Sequence, residues 1–306
     1  MHEARELSRW LAPLREVLLR HGYRRSYLGG SGAREILDHL RFGTALSPRD
    51  VDLYVLKHAT VRAADVHALR ADLRALGEVG PPREKLRAGP SGVRVVGAGV
   101  HVYRRGRPIL SVGVLHHAAD LALNGLFDVD TILLDVDNAR PRTPCAVLDP
   151  HDGYRAWRDR SPRIVHWAEV ERCFTRNAFR IVRTLGKADL LRLPEDLADG
   201  YRRRRPPTPV VDDPPDLHRD LLKVLGDRHW AEELAMLAEL DALTPVSASL
   251  QARIAATTPT ALRAAVPTPA DASPTDLARL RAETLCGRSA LLDALLATAP
   301  LVFGAH

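Results

Sequence analysis

Two short stretches hold residue types that could do chemistry together. Gly29-Gly30-Ser31 ends the apolar run Tyr27-Leu28 and opens a helix-like segment in which Ile36, Leu37 and Leu40 fall on one face. Asp50 and Asp52 alternate with Val51, Leu53 and Val55 in a strand-like run that follows the turn signal Ser47-Pro48. A strand sends successive side chains to opposite faces, so the three apolar residues share one side. The two carboxylates share the other, ~7 Å apart along the chain. Acids fixed that way suit a pair of hard divalent cations, which take oxygen ligands. A glycine turn opening a helix offers free N–H groups and the positive end of the helix dipole to a polyphosphate. Each half alone is commonplace: such turns are more often plain loops, and an Asp-x-Asp strand is more often a solvated face.

The elements that must position these residues can be traced along the chain. Residues 3–21 read as a helix, with Leu7, Trp10, Leu11, Leu14, Val17 and Leu18 as its apolar stripe and Gly22 as its stop. Tyr23–Leu28 is the strand that delivers the glycine turn, and Val61–Leu76 a second amphipathic helix. Pro81 to Pro90 is turn-rich and reads as a loop. Val93–Tyr103 and Ile109–Leu115 read as strands joined by the basic turn Arg104-Arg105-Gly106-Arg107, followed by a helical His117–Leu126 and a short strand Thr131–Val136. Beyond this the pattern is helical only. Glu169–Lys187 carries Val170, Phe174, Ile181, Val182 and Leu185 on one face, Leu217–Leu243 follows, and the Ala/Thr/Pro/Ser tract around 255–274 reads as loosely ordered. The expected fold is α+β: a head over residues 1–153 with a mixed or antiparallel sheet and helices, then an all-α region over 154–306.

Composition sets outer bounds. With 306 residues and 45% hydrophobic content the chain can bury one large core or two modest ones. Lys and Arg (44) outnumber Asp and Glu (38), giving a net charge of +6, which permits a nucleic-acid partner without demanding one. The three cysteines, Cys145, Cys173 and Cys286, lie far apart and form no Cys-x-x-Cys, which argues against a zinc knuckle or disulfide frame. The N-terminus has no signal-like apolar run, and no apolar stretch reaches the ~18 residues of a membrane span. A cytoplasmic protein is the expectation; oligomeric state is not legible.

In this order, on a strand–turn–helix–strand, the glycine turn and the Asp-x-Asp resemble the nucleotidyltransferase superfamily of DNA polymerase beta. Further segments are similar to one branch of it, the class II tRNA CCA-adding enzymes and bacterial poly(A) polymerases. Ala118-Ala119-Asp120-Leu121-Ala122-Leu123-Asn124-Gly125 stands where that branch has Arg-Arg-Asp-Phe-Thr-Ile-Asn-Ala. Leu148-Asp149-Pro150-His151-Asp152-Gly153 matches its Leu/Ile-Asp-Pro-x-x-Gly stretch. Asn177-Ala178-Phe179-Arg180-Ile181-Val182-Arg183 matches its Asp-Pro-x-Arg-Ile-x-Arg helix. The resemblance implies an enzyme that transfers NMP from an NTP to a hydroxyl, at an RNA 3′ end such as that of tRNA. It implies two Mg²⁺ ions held by Asp50 and Asp52, and phosphates held by Gly29, Gly30 and Ser31. Arg34, Asp120, Asn124, Asn177, Arg180 and Arg183 are then the further nucleotide contacts.

The chain also departs from that pattern. Glu35 replaces the Asp that follows Arg34, and His117-Ala118-Ala119 replaces the paired arginines before Asp120. The strand that can present a third acid reads Ile109-Leu110-Ser111-Val112-Gly113-Val114, without a carboxylate. Arg176-Asn177-Ala178-Phe179-Arg180 stands for the base-selecting Glu-Asp-x-x-Arg, so base preference does not carry over. Several residues keep two readings. Asp120 anchors a ribose or an arginine, or caps a helix. Arg176, Arg180, Arg183 and Lys187 share one helix face, aimed at a nucleotide or at solvent. Tyr201-Arg202-Arg203-Arg204-Arg205 either tracks an RNA backbone or is a solvated linker. His116-His117, Asp128-Val129-Asp130 and Asp135-Val136-Asp137 read as surface histidines and strand ends or loops. Two other functions compete: nucleotidyl transfer to a small molecule or protein side chain, and a catalytically silent nucleotide- or RNA-binding relative.

Overall fold

A computed structural model describes residues 14–23, 25–44, 51–56, 63–89, 92–104, 107–115, 125–135, 147–206, 214–266, 269 and 272–303. The chain divides into two compact units. The first comprises Met1–Arg104, Pro108–Asp159 and Arg163–His166; the second comprises Arg105–Arg107, Arg160–Pro162 and Trp167–His306. The fold is α+β, a mixed sheet with helices followed by a helical region.

The first unit holds a helix over 14–20 (α1), β1 (Ser26–Gly29), α2 (Gly30–Phe42), β2 (Val51–Leu56), α3 (Ala63–Leu73), β3 (Glu78–Val79), β4 (Arg83–Gly89), β5 (Gly92–Arg104), β6 (Arg107–Leu115), β7 (Leu133–Asp135), β8 (Val147–Leu148) and α4 (Gly153–Arg158). The strands run in the order β3-β5-β6-β2-β1-β7-β8, and β4 pairs with β5 beside β3. β2 is antiparallel to β1 and parallel to β6. One face of the sheet is packed by α1, α2 and α3. Leu14, Val17 and Leu18, Ala33 and Leu37, and Val66, Leu69 and Leu73 close over Leu28, Leu53, Val55, Val112, Val114 and Leu134. Each such side chain removed from water stabilises the unit by ~1.5–3 kcal/mol before entropy is counted. The alternation expected of β2 is present: Leu53 and Val55 are buried and Val51 packs against the same core, which leaves Asp52 and Tyr54 on the opposite face. There Tyr27, Leu115 and Leu133 form a smaller cluster with Tyr54 and Leu56. α2 stops at Gly43, whose left-handed backbone (φ 68) lets its N–H return to the His39 carbonyl.

Residues 83–89, expected as a loop, form β4. It pairs with the first half of β5, with a register shift between Lys85 and Leu86. Its sequence, REKLRAG, is largely polar, and its strand character comes from pairing with β5. Asp50, Asp120, Asn124, most of the expected helix His117–Leu126 and the start of the first helix lie outside the described residues. α4 packs within the first unit although it starts at Gly153, the last residue assigned to the head from sequence.

The second unit is helical: α5 (Trp167–Arg172), α6 (Phe174–Lys187), α7 (Glu195–Arg203), α8 (Pro214–Gly226), α9 (Trp230–Glu239), α10 (Ala248–Ala255), α11 (Pro259–Ala265), α12 (Pro274–Cys286) and α13 (Ala290–Phe303). The helix expected over Glu169–Lys187 is two, broken at Cys173, whose backbone leaves the helical region (φ −133, ψ 64). The segment Leu217–Leu243 likewise divides into α8 and α9. Within the tract around 255–274, the described residues include a helix, 259–265, that its composition does not suggest. Thr258 caps α11 ahead of Pro259, and Ser273 and Asp276 form a reciprocal capping box ahead of Pro274. Among the described residues no helix is long and apolar enough to cross a membrane.

Candidate active site

The antiparallel register of β1 and β2 sets Gly29 opposite Asp52, at the point where strand gives way to helix. Gly30, the first residue of α2, has φ +63, and a Cβ built on it would lie 2.5 Å from Asp52 Oδ2. Glycine alone tolerates both that backbone and that approach. At Gly29 the backbone is extended, and a Cβ would lie 2.8 Å from Tyr54 Cε2 and 3.2 Å from Leu133 Cδ2. The N-cap of α2 is Gly29, which has no side chain to cap it, and the first turn contains no acid of its own. The half-buried carboxylate of Asp52 is therefore the acid at this helix mouth, with Ser31 half-buried in the same turn. On the far side of β2 the parallel register places Ser111 beside Asp52 and Gly113 beside Tyr54.

A divalent cation with a polyphosphate fits what is described of this corner. It has an oxygen ligand at Asp52, a glycine pair with no Cβ to obstruct approach, and a helix N-terminus that favours anions. Asp50 would be the second acid. Among the described residues no group of three His, Cys, Asp or Glu side chains is gathered as a metal site.

Arg34 lies one turn into α2 and is engaged with the 128–130 turn. It is buried, donates to the Val129 carbonyl (2.6 Å) and to Asp130 Oδ1 (3.3 Å), and lies over the Trp157 ring at 4.8 Å. The turn it holds is a structural hub. Asp128, fully buried, accepts from the Val129 and Arg163 N–H groups and from Arg163 Nε. Burial pushes its carboxyl above the usual range, with Arg163 and the backbone N–H groups opposing. The Asp-Pro-x-x-Gly stretch has a clear local task. Asp149 accepts from the N–H groups of Gly153 (2.7 Å) and Tyr154 (2.8 Å) at the start of α4, and a Cβ at Gly153 would collide with the Asp128 carbonyl. Tyr154 in turn donates to Asp38 of α2 at 2.8 Å; burial and then that carboxylate raise its phenol to about 12.

Of the residues expected on α6, Asn177, Arg176 and Arg183 are engaged within the helical unit. Asn177 is buried and donates to the Glu169 carbonyl. Arg183 pairs with Asp227 at 2.7 Å, and Arg176 with Asp216 (2.9 Å) and Asp220 (3.2 Å). Arg180 and Lys187 are exposed. The basic block at the end of α7 is paired as well: Arg202 with Asp199 and Glu239, Arg204 with Glu171, and Arg205 with Asp241.

One residue at the corner escaped the sequence reading. Tyr54 follows Asp52 by two residues, so strand alternation puts its ring on the Asp52 face, against Gly29. Ser111 lies on the strand that the resemblance marked as able to present a third acid, and the β2–β6 register brings it beside Asp52.

No protein-family profile matches the sequence, and no curated protein is similar to it at the sequence level. Solved structures do resemble it. A tRNA nucleotidyltransferase complexed with a primer tRNA and an incoming ATP analog superposes with a TM-score of 0.60 at 14% identity, covering 94% of this chain and 81% of that one. A tRNA-processing enzyme complex gives 0.58 at 15% identity, covering 94% and 77%. An apo tRNA-processing enzyme gives 0.56 at 16% identity, covering 93% and 76%. What the chain shares with them is the fold.

Proposed function

We propose that the protein is a divalent-cation-dependent nucleotidyltransferase that moves NMP from an NTP to a hydroxyl, with the 3′ end of a tRNA-like RNA as acceptor. The observation that carries this reading is the closeness of Asp52 to Gly30: its carboxylate oxygen stands 2.5 Å from where a Cβ on the first residue of α2 would go. The shared fold with tRNA nucleotidyltransferases supports it.

In this reading Asp52, together with Asp50, holds two Mg²⁺ ions. Bound there, such ions lower the pKa of the acceptor hydroxyl and neutralise charge on the departing pyrophosphate. The chain itself does the positioning. Gly29 and Gly30 let the triphosphate come close, and the first N–H groups of α2, Ser31 among them, donate to its non-bridging oxygens. The acceptor oxygen bonds to the α-phosphorus as the bond from that phosphorus to the bridging oxygen breaks and pyrophosphate leaves. Such transfers need alignment and charge stabilisation more than covalent help from the protein, so a minimal site suffices. Arg34 acts by fixing α2 to the Asp128–Asp130 turn.

The pairing of Arg202, Arg204 and Arg205 with acids of their own unit favours a second reading, in which the same chemistry serves a small acceptor. Incubation with each labelled NTP, Mg²⁺ and total tRNA separates the two. Labelled RNA, lost by at least ~100-fold in Asp52→Asn, is the expected result. NMP on a metabolite or protein with RNA unlabelled selects the second reading. No pyrophosphate release with any acceptor rejects both and leaves a silent binding protein.

A further inference from the structure

The two residues of the turn are glycines for different reasons. At Gly30 the backbone itself asks for one, with φ +63. At Gly29 it does not: φ is −125 and ψ −168, an extended conformation open to any residue. What excludes a side chain at 29 is mainly a ring. A Cβ there would lie 2.8 Å from Tyr54 Cε2 and 3.4 Å from Tyr54 Cδ2, with Leu133 Cδ2 at 3.2 Å. One face of β2 therefore meets both glycines. Asp52 reaches position 30, and Tyr54, two residues on, leans back to position 29 although its partner across the ladder is Tyr27. The same ring packs against Tyr27, Leu115 and Leu133, each at most 4% exposed.

We propose that Tyr54 is a positioning residue for the phosphate turn: its ring seats Gly29, so that the first N–H groups of α2 are aimed at the space beside Asp52. This rests on the reading of that turn as a triphosphate site. Gly29 is the N-cap of α2, where strand becomes helix, so a shift there moves every donor of the first turn together. Acid and wedge sit two residues apart on one strand, so β2 alone sets the spacing between the carboxylate and the phosphate donors. The role belongs to the edge of the ring and acts through Gly29; the hydroxyl has no part in it. A ring that only filled the smaller cluster of the sheet would change stability when removed, not phosphate affinity.

The test measures binding of inorganic tripolyphosphate with Mg²⁺ to the full chain by calorimetry, with a thermal melt of each variant. Tripolyphosphate has neither base nor ribose, so it reads the turn alone. Tyr54→Ala is expected to weaken it by ~10-fold or more, and Tyr54→Phe to stay within ~2-fold of the wild type. Gly29→Ala, whose Cβ meets the ring, is expected to weaken it by a similar factor. The same change should cost less in the Tyr54→Ala background, where the ring is gone. If Tyr54→Ala does not fold, Tyr54→Leu, which keeps apolar bulk without the ring edge, takes its place. Wild-type affinity in the folded variant, equal losses in it and in Tyr54→Phe, or additive effects with Gly29→Ala would each overturn the role of the ring and leave the turn standing. Failure of tripolyphosphate to bind the wild type would sink the phosphate site and this inference together.

Discussion

Gly30 and Gly43 bracket α2 with the same backbone sign, φ +63 and +68, yet only Gly30 has an obstacle where a side chain would go. Gly43→Ala should cost about 1–2 kcal/mol in urea unfolding, from backbone strain alone. Gly30→Ala should cost more, and the double variant Gly30→Ala/Asp52→Ala should recover part of the excess, because the removed carboxylate vacates the space. Equal costs for the two glycines would mean that the carboxylate moves aside freely. A second residue-scale prediction concerns Glu233 of α9. It is 2% exposed against Gly186, and its carboxyl is pushed from 4.5 up to about 9 by burial first and then by the nearby Asp227 charge, with Arg183 and Lys187 opposing. Between those two values the folded chain keeps a proton that the unfolded chain has released. Stability should therefore fall as pH rises through that window. Glu233→Gln should flatten the slope, read from urea midpoints at about pH 6 and about pH 9; parallel slopes in the two proteins would refute it.

At the scale of elements, the helix that opens at the candidate site is held from behind. Arg34 ties α2 to the Asp128–Asp130 turn, and Asp38 ties it to α4 through Tyr154 and Trp157. Arg34→Lys keeps the charge but not the planar fork over Trp157. It should lower stability by ~1–3 kcal/mol and speed amide exchange in residues 30–42 and 128–130 together. A rise in KM for NTP with unchanged exchange would instead make Arg34 a direct nucleotide contact. Asp149→Ala removes both acceptors at the start of α4 and should cost ~1–2 kcal/mol by denaturant titration. These elements differ in how far the sequence announces them. β2 is legible from its alternation and α2 from the glycine turn that opens it and the shared face of Ile36, Leu37 and Leu40. β4 is not, since seven largely polar residues become a strand only by pairing with β5. The burial of Asp128 is also silent in the sequence: its partner Arg163 lies 35 positions away, and the motif Asp-x-Asp looks the same whether it faces solvent or a core.

For the whole molecule, a net charge of +6 says less about partners than where the arginines point. The block at the end of α7 is the most basic run in the sequence, and Arg202, Arg204 and Arg205 in it face acids 33 to 37 positions distant, with Asp199 as a local partner of Arg202. That pairing has no sequence signature, which is why composition could not decide between RNA tracking and a solvated end. Arg202→Gln and Arg205→Gln should each change stability by less than ~1 kcal/mol, as exposed ion pairs do. If the α7 block does not bind phosphate, the salt dependence of tRNA binding should keep its slope within about one unit in both. A slope reduced by about one per arginine would return the block to the RNA-binding surface. The missing carbon at Gly30 has a consequence for descent. The constraint runs one way: a side chain gained at position 30 is expected to come with a smaller or relocated residue at 52, whereas a smaller residue at 52 meets no obstacle at 30.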